Sequence, residues 1–214
     1  VREAIIEADN RHLAEARRLF TNSKNVARRL KAGNGIDADP LYHPPPGAER
    51  FYTRPAEPFL FYPSRLTPVK RQELVLKALQ HTEQPVQVRF AGRADSPSYR
   101  SELERKAHSL GVADRVSWLG GVSDEEMLDL YATCRGVVYP PTDEDSGYIT
   151  LEAMLSSKPV ITCLDSGGPL EFVEDGETGF VSKGRPEELA GAMDRLWEDP
   201  SVAAEMGVAG REVY

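Results

Sequence analysis

Cysteine, histidine and long apolar runs are scarce in this 214-residue chain, and each scarcity removes a class of protein. The two cysteines, Cys134 and Cys163, lie in or beside apolar segments and match no metal-ligand spacing, so they read as buried thiols rather than as a disulfide framework or a reactive centre. The four histidines, His12, His43, His81 and His108, share no spacing and sit in polar or helical surroundings, which gives none of them a role. No stretch approaches the roughly 18 consecutive apolar residues that a membrane-spanning helix requires, and the opening VREAIIEADNRH has no signal-peptide pattern. Basic residues number 26 against 34 acidic ones, a net charge of −8 with no basic stripe, which opposes binding to nucleic acid and to anionic membrane surfaces. The setting expected from these absences is cytoplasmic, with peripheral membrane association left open for a longer protein.

What is present is ordinary for a globular protein: 40% hydrophobic and 28% charged residues, enough for one sizeable core. Short β-branched or aromatic runs at 59–63, 86–92, 115–120, 136–140, 159–164 and 179–183 alternate with helical-period segments at about 69–82, 97–110, 123–134, 147–157, 168–174 and 186–198. Such alternation predicts βαβ units with right-handed crossovers, hence an α/β fold with a doubly wound, Rossmann-like parallel sheet. Residues 59–214 form this predicted domain. Residues 1–58 are expected to hold a helix to about Arg18, a short strand in LFTNS, a helix closed by Gly33 or Gly35, and a Pro-rich extended connector. The chain lacks an initial Met and stops inside the helical pattern GVAGREVY, so a fragment of a longer protein is expected.

In an open parallel sheet, ligands bind where loops leave the carboxyl ends of the strands, and the distinctive residues fall there. Arg65 and Lys70 follow the first strand, Gly120 and Val122 the third, Glu144 the fourth, and Gly167-Gly168 the fifth. The segment PPTDEDSGYITLEAM (140–154) places Glu144 in a loop and Glu152 about two turns into a helix that starts near Gly147. Free N–H groups at that helix start attract anions, so a ligand carrying both phosphate and hydroxyl groups fits the pattern. Taken singly, Glu144 also reads as a loop charge, Glu152 as a solvated helix residue, Lys70 as an exposed helix-start lysine, and Gly120 as a turn glycine. Gly92 and Arg93 end the second strand and border the same region.

Five segments in order carry a family resemblance: the Glu-x7-Glu pair within 140–154, YPSRLTPVK at 62–70, KPVI at 158–161, GGPLE at 167–171 and EDGETGFV at 174–181. Together they resemble the C-terminal, nucleotide-sugar-binding domain of retaining GT-B glycosyltransferases of the group 1 type, over most of 59–210. The resemblance implies transfer of a sugar from a nucleotide-sugar (UDP- or GDP-linked) to an unknown acceptor, a saccharide, lipid or small molecule, with no cofactor and no metal. It implies that Arg65 and Lys70 grip the donor diphosphate, that N–H groups at Gly147, Tyr148 and Ile149 add to the cradle, and that Glu152 holds the ribose. It further implies that Glu144 addresses the sugar and that backbone at Gly120 and Val122 edges the base. Residues 1–58 would then be the last part of an N-terminal acceptor domain and the hinge. The alternative is a nucleotide-binding module that does no transfer. Two departures stand out: Ser64 precedes Arg65 where Gly is usual, and Asp145-Ser146 replaces a Gly-Phe-like pair, which leaves the donor sugar open.

Overall fold

The computed structural model describes residues 2–214, which divide into two compact units, one ending at His43 and the other running from Pro44 to Tyr214. The smaller unit comprises helix α1 (Arg2–Glu15), strand β1 (Phe20–Thr21), helix α2 (Lys24–Asn34) and strand β2 (Asp39–Pro40), with β1 and β2 paired in parallel. The Ser23 hydroxyl caps α2 by accepting from the Val26 N–H at 3.0 Å, and Gly35 closes it in the left-handed conformation, φ 71°. Gly35 is therefore the stop signal of the two that the sequence offered.

In the larger unit, six strands form one parallel sheet: β3 (Leu60–Pro63), β4 (Val88–Ala91), β5 (Val116–Gly120), β6 (Gly136–Val138), β7 (Val160–Cys163) and β8 (Gly179–Ser182). Every expected strand is present. The spatial order is β5-β4-β3-β6-β7-β8, so the chain winds outward from β3 through β5, returns to the centre, and winds outward again through β8. Strands β3, β6 and β7 are buried at every position, which is why they read as unbroken apolar runs, whereas edge strand β5 alternates partly buried and exposed residues. The connecting helices are α3 (Gln72–His81), α4 (Pro97–Ser109), α5 (Asp124–Thr133), α6 (Tyr148–Leu155) and α7 (Pro186–Glu198), followed by α8 (Pro200–Val213). Ser123 and Glu126 close a reciprocal capping box at the start of α5. The core is aromatic from β3 out to β5, where Tyr62 packs on Phe90 (ring centroids 5.0 Å apart) and Phe90 stacks on Trp118 (4.6 Å).

Two expectations change. The segment 168–174 is only a single 3-10 turn, Gly168–Glu171, because Pro169 supplies no N–H and Gly167 enters with φ 75°, ψ −120°, a conformation that suits glycine alone. The Pro-rich stretch packs as part of the larger unit from Pro44 onward, so the compact unit starts earlier than residue 59. Arg54 and Glu57 donate backbone N–H bonds to the carbonyls of Ala132 (3.0 Å) and Thr133 (2.7 Å) at the end of α5, and buried Lys158 reaches the Arg54 carbonyl at 3.2 Å.

Gly179 shows how tightly the sheet is packed: a Cβ there would lie 1.9 Å from the Val160 carbonyl oxygen of β7. Gly179→Ala is expected to destabilise the chain by about 2 kcal/mol or more, because backbone rather than a flexible side chain blocks the methyl. A urea-unfolding midpoint equal to that of the wild type would show that β7 and β8 separate without cost.

Candidate functional site

The strand order reverses direction between β3 and β6, and the loops leaving those two strands carry Lys70 and Glu144. Such a switch point opens a crevice because the two loops diverge to opposite sides of the sheet. Lys70 ends a 3-10 turn, Pro68–Lys70, and its ammonium forms an ion pair with the Glu144 carboxylate while donating to the Tyr139 hydroxyl at 2.9 Å. Both charged side chains are mostly covered, 14% and 23% exposed, so each depends on the other for compensation. Tyr62, from β3, donates its hydroxyl to the Lys70 carbonyl and fixes the backbone behind the ammonium.

Arg65 takes a different direction. Its guanidinium is well exposed and pairs with Asp95, 3.2 Å away in the loop after β4. Neither cation of the expected diphosphate grip is thus idle: each is held by a carboxylate. Gly92 brings these loops together, since a Cβ there would lie 2.0 Å from the Ser64 carbonyl oxygen.

The loop holding Glu144 is tied down on both sides. Thr142 donates its N–H to the Val69 carbonyl (2.9 Å), Asp143 to Asp165 (2.9 Å) and Glu144 to Ser166 (2.9 Å), while the Glu144 carbonyl accepts from Gly168 (2.8 Å). Gly167-Gly168 serves this loop-to-loop packing, because a Cβ on Gly168 would lie 2.5 Å from the Asp145 carbonyl oxygen. Asp145 itself is exposed. Arg71, in the left-handed conformation at φ 59°, binds Asp165 through both guanidinium nitrogens, one of them at 2.8 Å. That fork holds the Asp165 carboxyl below its usual pKa and clamps the Lys70 loop to the loop that supports Glu144.

Gly147 caps α6 with φ 70° and offers no side chain to the first N–H groups; the N–H of Thr150 turns back to the Gly147 carbonyl at 2.9 Å. Tyr148 and Ile149 open the helix and are half-buried. Because α6 begins at Tyr148, Glu152 lies just over one turn into it rather than two. Its carboxylate accepts a 2.6 Å hydrogen bond from the Tyr131 hydroxyl of α5. Burial raises the Glu152 pKa above the usual carboxylate value, and the Tyr131 hydrogen bond opposes that rise.

Gly120, at φ 70°, turns the chain out of β5, and its carbonyl accepts from the Gly92 N–H at 2.7 Å. Leu119, Gly121 and Val122 line a cleft of about 440 Å³ together with Arg89, Glu126 and Leu130. Lys70, Glu144 and Glu152 do not line it; the structure brings Lys70 and Glu144 into direct contact, and Val122 lines this cleft. Sequence reasoning missed Tyr131, Tyr139, Arg71, Asp95 and Asp165. Tyr131 and Tyr139 sit inside apolar runs and look like core, and Asp165 and Asp95 like loop charges; nothing local marks their partners. Among the described residues no cluster of three or more His, Cys, Asp or Glu side chains is placed to hold a metal ion, and no helix is long and apolar enough to cross a membrane. Both cysteines are buried free thiols, and burial pushes Cys134 up to about 12.

The six-stranded parallel sheet matches the Rossmann-like domains of GT-B glycosyltransferases. The sequence profile of the glycosyl transferases group 1 family matches residues 49–213, and the chain belongs to that family. It is 33% identical over 190 residues to a GDP-mannose-dependent alpha-(1-6)-phosphatidylinositol monomannoside mannosyltransferase of Mycobacterium tuberculosis, covering 83% of this chain and 49% of that protein. It is 33% identical over 117 residues to human alpha-1,3/1,6-mannosyltransferase ALG2, covering 55% of this chain and 28% of that one. Among solved structures, Anabaena Alr3699/HepE in complex with UDP and glucose superposes with a TM-score of 0.84 at 26% identity, covering 99% of this chain and 61% of that chain. Sucrose-phosphate synthase from Thermosynechococcus elongatus gives 0.86 at 23% identity, covering 99% and 56%, and shares the fold. The chain spans about half or less of the length of the curated relatives it matches.

The raised pKa of Glu152 has a consequence for stability. A carboxyl whose folded pKa exceeds its unfolded value favours the folded state at low pH and loses that contribution as pH rises through the folded value, so at neutral pH the ionised group costs stability. Glu152→Gln, which still accepts from Tyr131, is expected to raise the unfolding midpoint at pH 7, with the gain shrinking as pH falls through the raised folded value and gone below about pH 4, where the carboxyl is protonated in both states. A difference that does not vary with pH would contradict the desolvation of Glu152.

Proposed function

We propose that this chain is the donor-binding half of a retaining glycosyltransferase, moving a sugar from a nucleoside diphosphate to an acceptor still to be identified. The observation that carries the proposal is the Lys70–Glu144 pair at the switch point, a cation and a carboxylate held in contact by loops from β3 and β6. Lys70 and Arg65 neutralise the departing diphosphate, Arg65 after exchanging Asp95 for phosphate, and the N–H groups at Gly147, Tyr148 and Ile149 complete the cradle. Two fixed cations make a metal unnecessary for that step. Glu152 accepts hydrogen bonds from the ribose diol. Glu144, released from Lys70 as the phosphates arrive, faces the transferred sugar and stabilises positive charge developing at its anomeric carbon. Backbone at Gly120 and Val122 borders the base.

Family membership supports this reading, as does the likeness to a protein solved with UDP and glucose. UDP and GDP are both open as the nucleotide, since one relative is named for GDP-mannose and the solved neighbour holds UDP. The mycobacterial relative, named for phosphatidylinositol monomannoside, supports a lipid-linked acceptor and with it a cytoplasmic protein that meets a membrane peripherally. Because the chain spans only part of its relatives, we further propose that it binds nucleotide by itself without transfer, which needs the remaining acceptor-side domain.

Calorimetric titration of UDP, GDP and ADP tests the donor site: one of them is expected to bind weakly, and no heat from any would sink the claim. Lys70→Ala is expected to weaken that binding more than Arg65→Ala, because the Lys70 ammonium is held in a mostly covered position at the switch point whereas the Arg65 guanidinium is exposed and screened by water. Glu152→Ala should weaken it more than Glu174→Ala, an exposed carboxylate serving as control. Equal effects in the second pair would remove the ribose assignment.

A further inference from the structure

Tyr131 is fully buried, yet its hydroxyl is not spent on the nearest backbone: it crosses from α5 to α6 and donates to Glu152 at 2.6 Å. The ring that carries it is fixed. Phe61 of β3 meets it edge-on, with centroids 5.1 Å apart and planes at 88°, and Phe51 of the Pro-rich segment meets it at 5.7 Å and 71°. Phe51 in turn is held where that segment is pinned to the end of α5 by the Arg54 and Glu57 backbone bonds. A short, charge-assisted hydrogen bond from a donor that cannot rotate away sets the plane of the carboxylate and occupies one of about four acceptor directions, leaving the others for a ligand. Burial also raises the Tyr131 hydroxyl well above its ordinary pKa, so it stays a donor at any working pH.

We propose that Tyr131 is a positioning residue for nucleotide recognition: its hydroxyl orients the Glu152 carboxylate toward the ligand's vicinal diol, so that it governs selectivity for ribose without touching the ligand. This rests on the assignment of Glu152 to the ribose. It differs from a core tyrosine that has merely found an acceptor for its hydroxyl, because a core role affects every ligand alike, whereas an orienting role affects only ligands that carry the diol.

The test uses the 214-residue chain, whichever of UDP or GDP binds more tightly, and its 2′,3′-dideoxy counterpart. Tyr131→Phe keeps the ring and both aromatic contacts and deletes only the donor. The expected result is about tenfold weaker binding of the ribonucleotide, the order of a lost hydrogen bond to a charged group, with the dideoxy compound unaffected. An unchanged ratio of the two affinities overturns the proposal, whether both fall together or neither falls. Glu152→Gln run in parallel separates the two claims. If it compresses the ratio and Tyr131→Phe does not, only the positioning role fails; if it leaves the ratio intact, the ribose assignment fails and the proposal with it. Phe51→Leu, which frees one side of the ring while keeping the hydroxyl, covers the case in which Tyr131→Phe does not fold: a loss confined to the ribonucleotide supports the role, and an unchanged ratio overturns it.

Discussion

Strands β3 and β6 pair through only two residue positions, Leu60 with Gly136 and Phe61 with Val137, and the chain beyond that short seam splays into the loops that carry the site. Gly136 keeps the seam close to what lies behind it: a Cβ there would lie 2.8 Å from the end of the Leu196 side chain of α7 and 3.2 Å from Pro159, so an added methyl would require Leu196 to shift and Pro159 to yield by a few tenths of an ångström. Past the seam, Tyr62 and Tyr139 continue their strands with fully buried rings 6.4 Å apart, and each hydroxyl is turned onto Lys70, one on its carbonyl and one on its ammonium. The apolar centre of the sheet and the polar crevice above it are therefore joined by two side chains that belong to both.

The crevice itself is held by exchange of hydrogen bonds between loops rather than by packing. Asp165 is the hub: its carboxylate takes the Arg71 fork and its carbonyl takes the Asp143 N–H, so one residue couples the backbone next to Lys70 to the backbone next to Glu144. Arg71 adopts a left-handed conformation to do so, at an energetic cost that a non-glycine residue accepts only where its surroundings enforce it. Strain at Arg71 and desolvation of Glu152 both lower the stability of the folded chain, and both fall on residues that support the proposed ligand site.

The layout of the sheet was readable because its determinants are local. Short apolar runs such as LFYP and VITC, rich in aromatic or β-branched residues and bounded by turn signals, read as strands buried on both faces, and Ser96 and Ser123, with Pro97, mark helix starts. Glu144 and Glu152 were legible as members of an ordered motif, but their environment was not. The hydrogen bond to Glu152 comes from Tyr131, 21 residues away in sequence, and a tyrosine in the run DLYATC carries the same pattern whether its hydroxyl meets a carboxylate or water. The engagement of Arg65 by Asp95 and the docking of 44–58 along α5 escaped for the same reason. Pro-rich composition reports backbone stiffness and a shortage of N–H donors, and it is silent on where the remaining donors bond.

Charge balance then constrains how such a site can work. The chain carries −8 overall, and both cations proposed to grip a diphosphate are paired with carboxylates, Lys70 with Glu144 and Arg65 with Asp95. The long-range field does not favour an approaching diphosphate, so on the proposed function affinity has to come from exchange at close range, phosphate oxygens replacing carboxylate oxygens at the two cations. The two exchanges are unequal. Asp95 is half-exposed and, once released, is resolvated by water at little cost. Glu144 is mostly covered, and its release from Lys70 removes its counter-charge inside the crevice. Positive charge developing on the sugar during departure of the diphosphate would, on the proposed function, supply that counter-charge. The pair in which two covered charges compensate each other thus becomes, on the proposed mechanism, a source of preference for the transition state over the bound ground state.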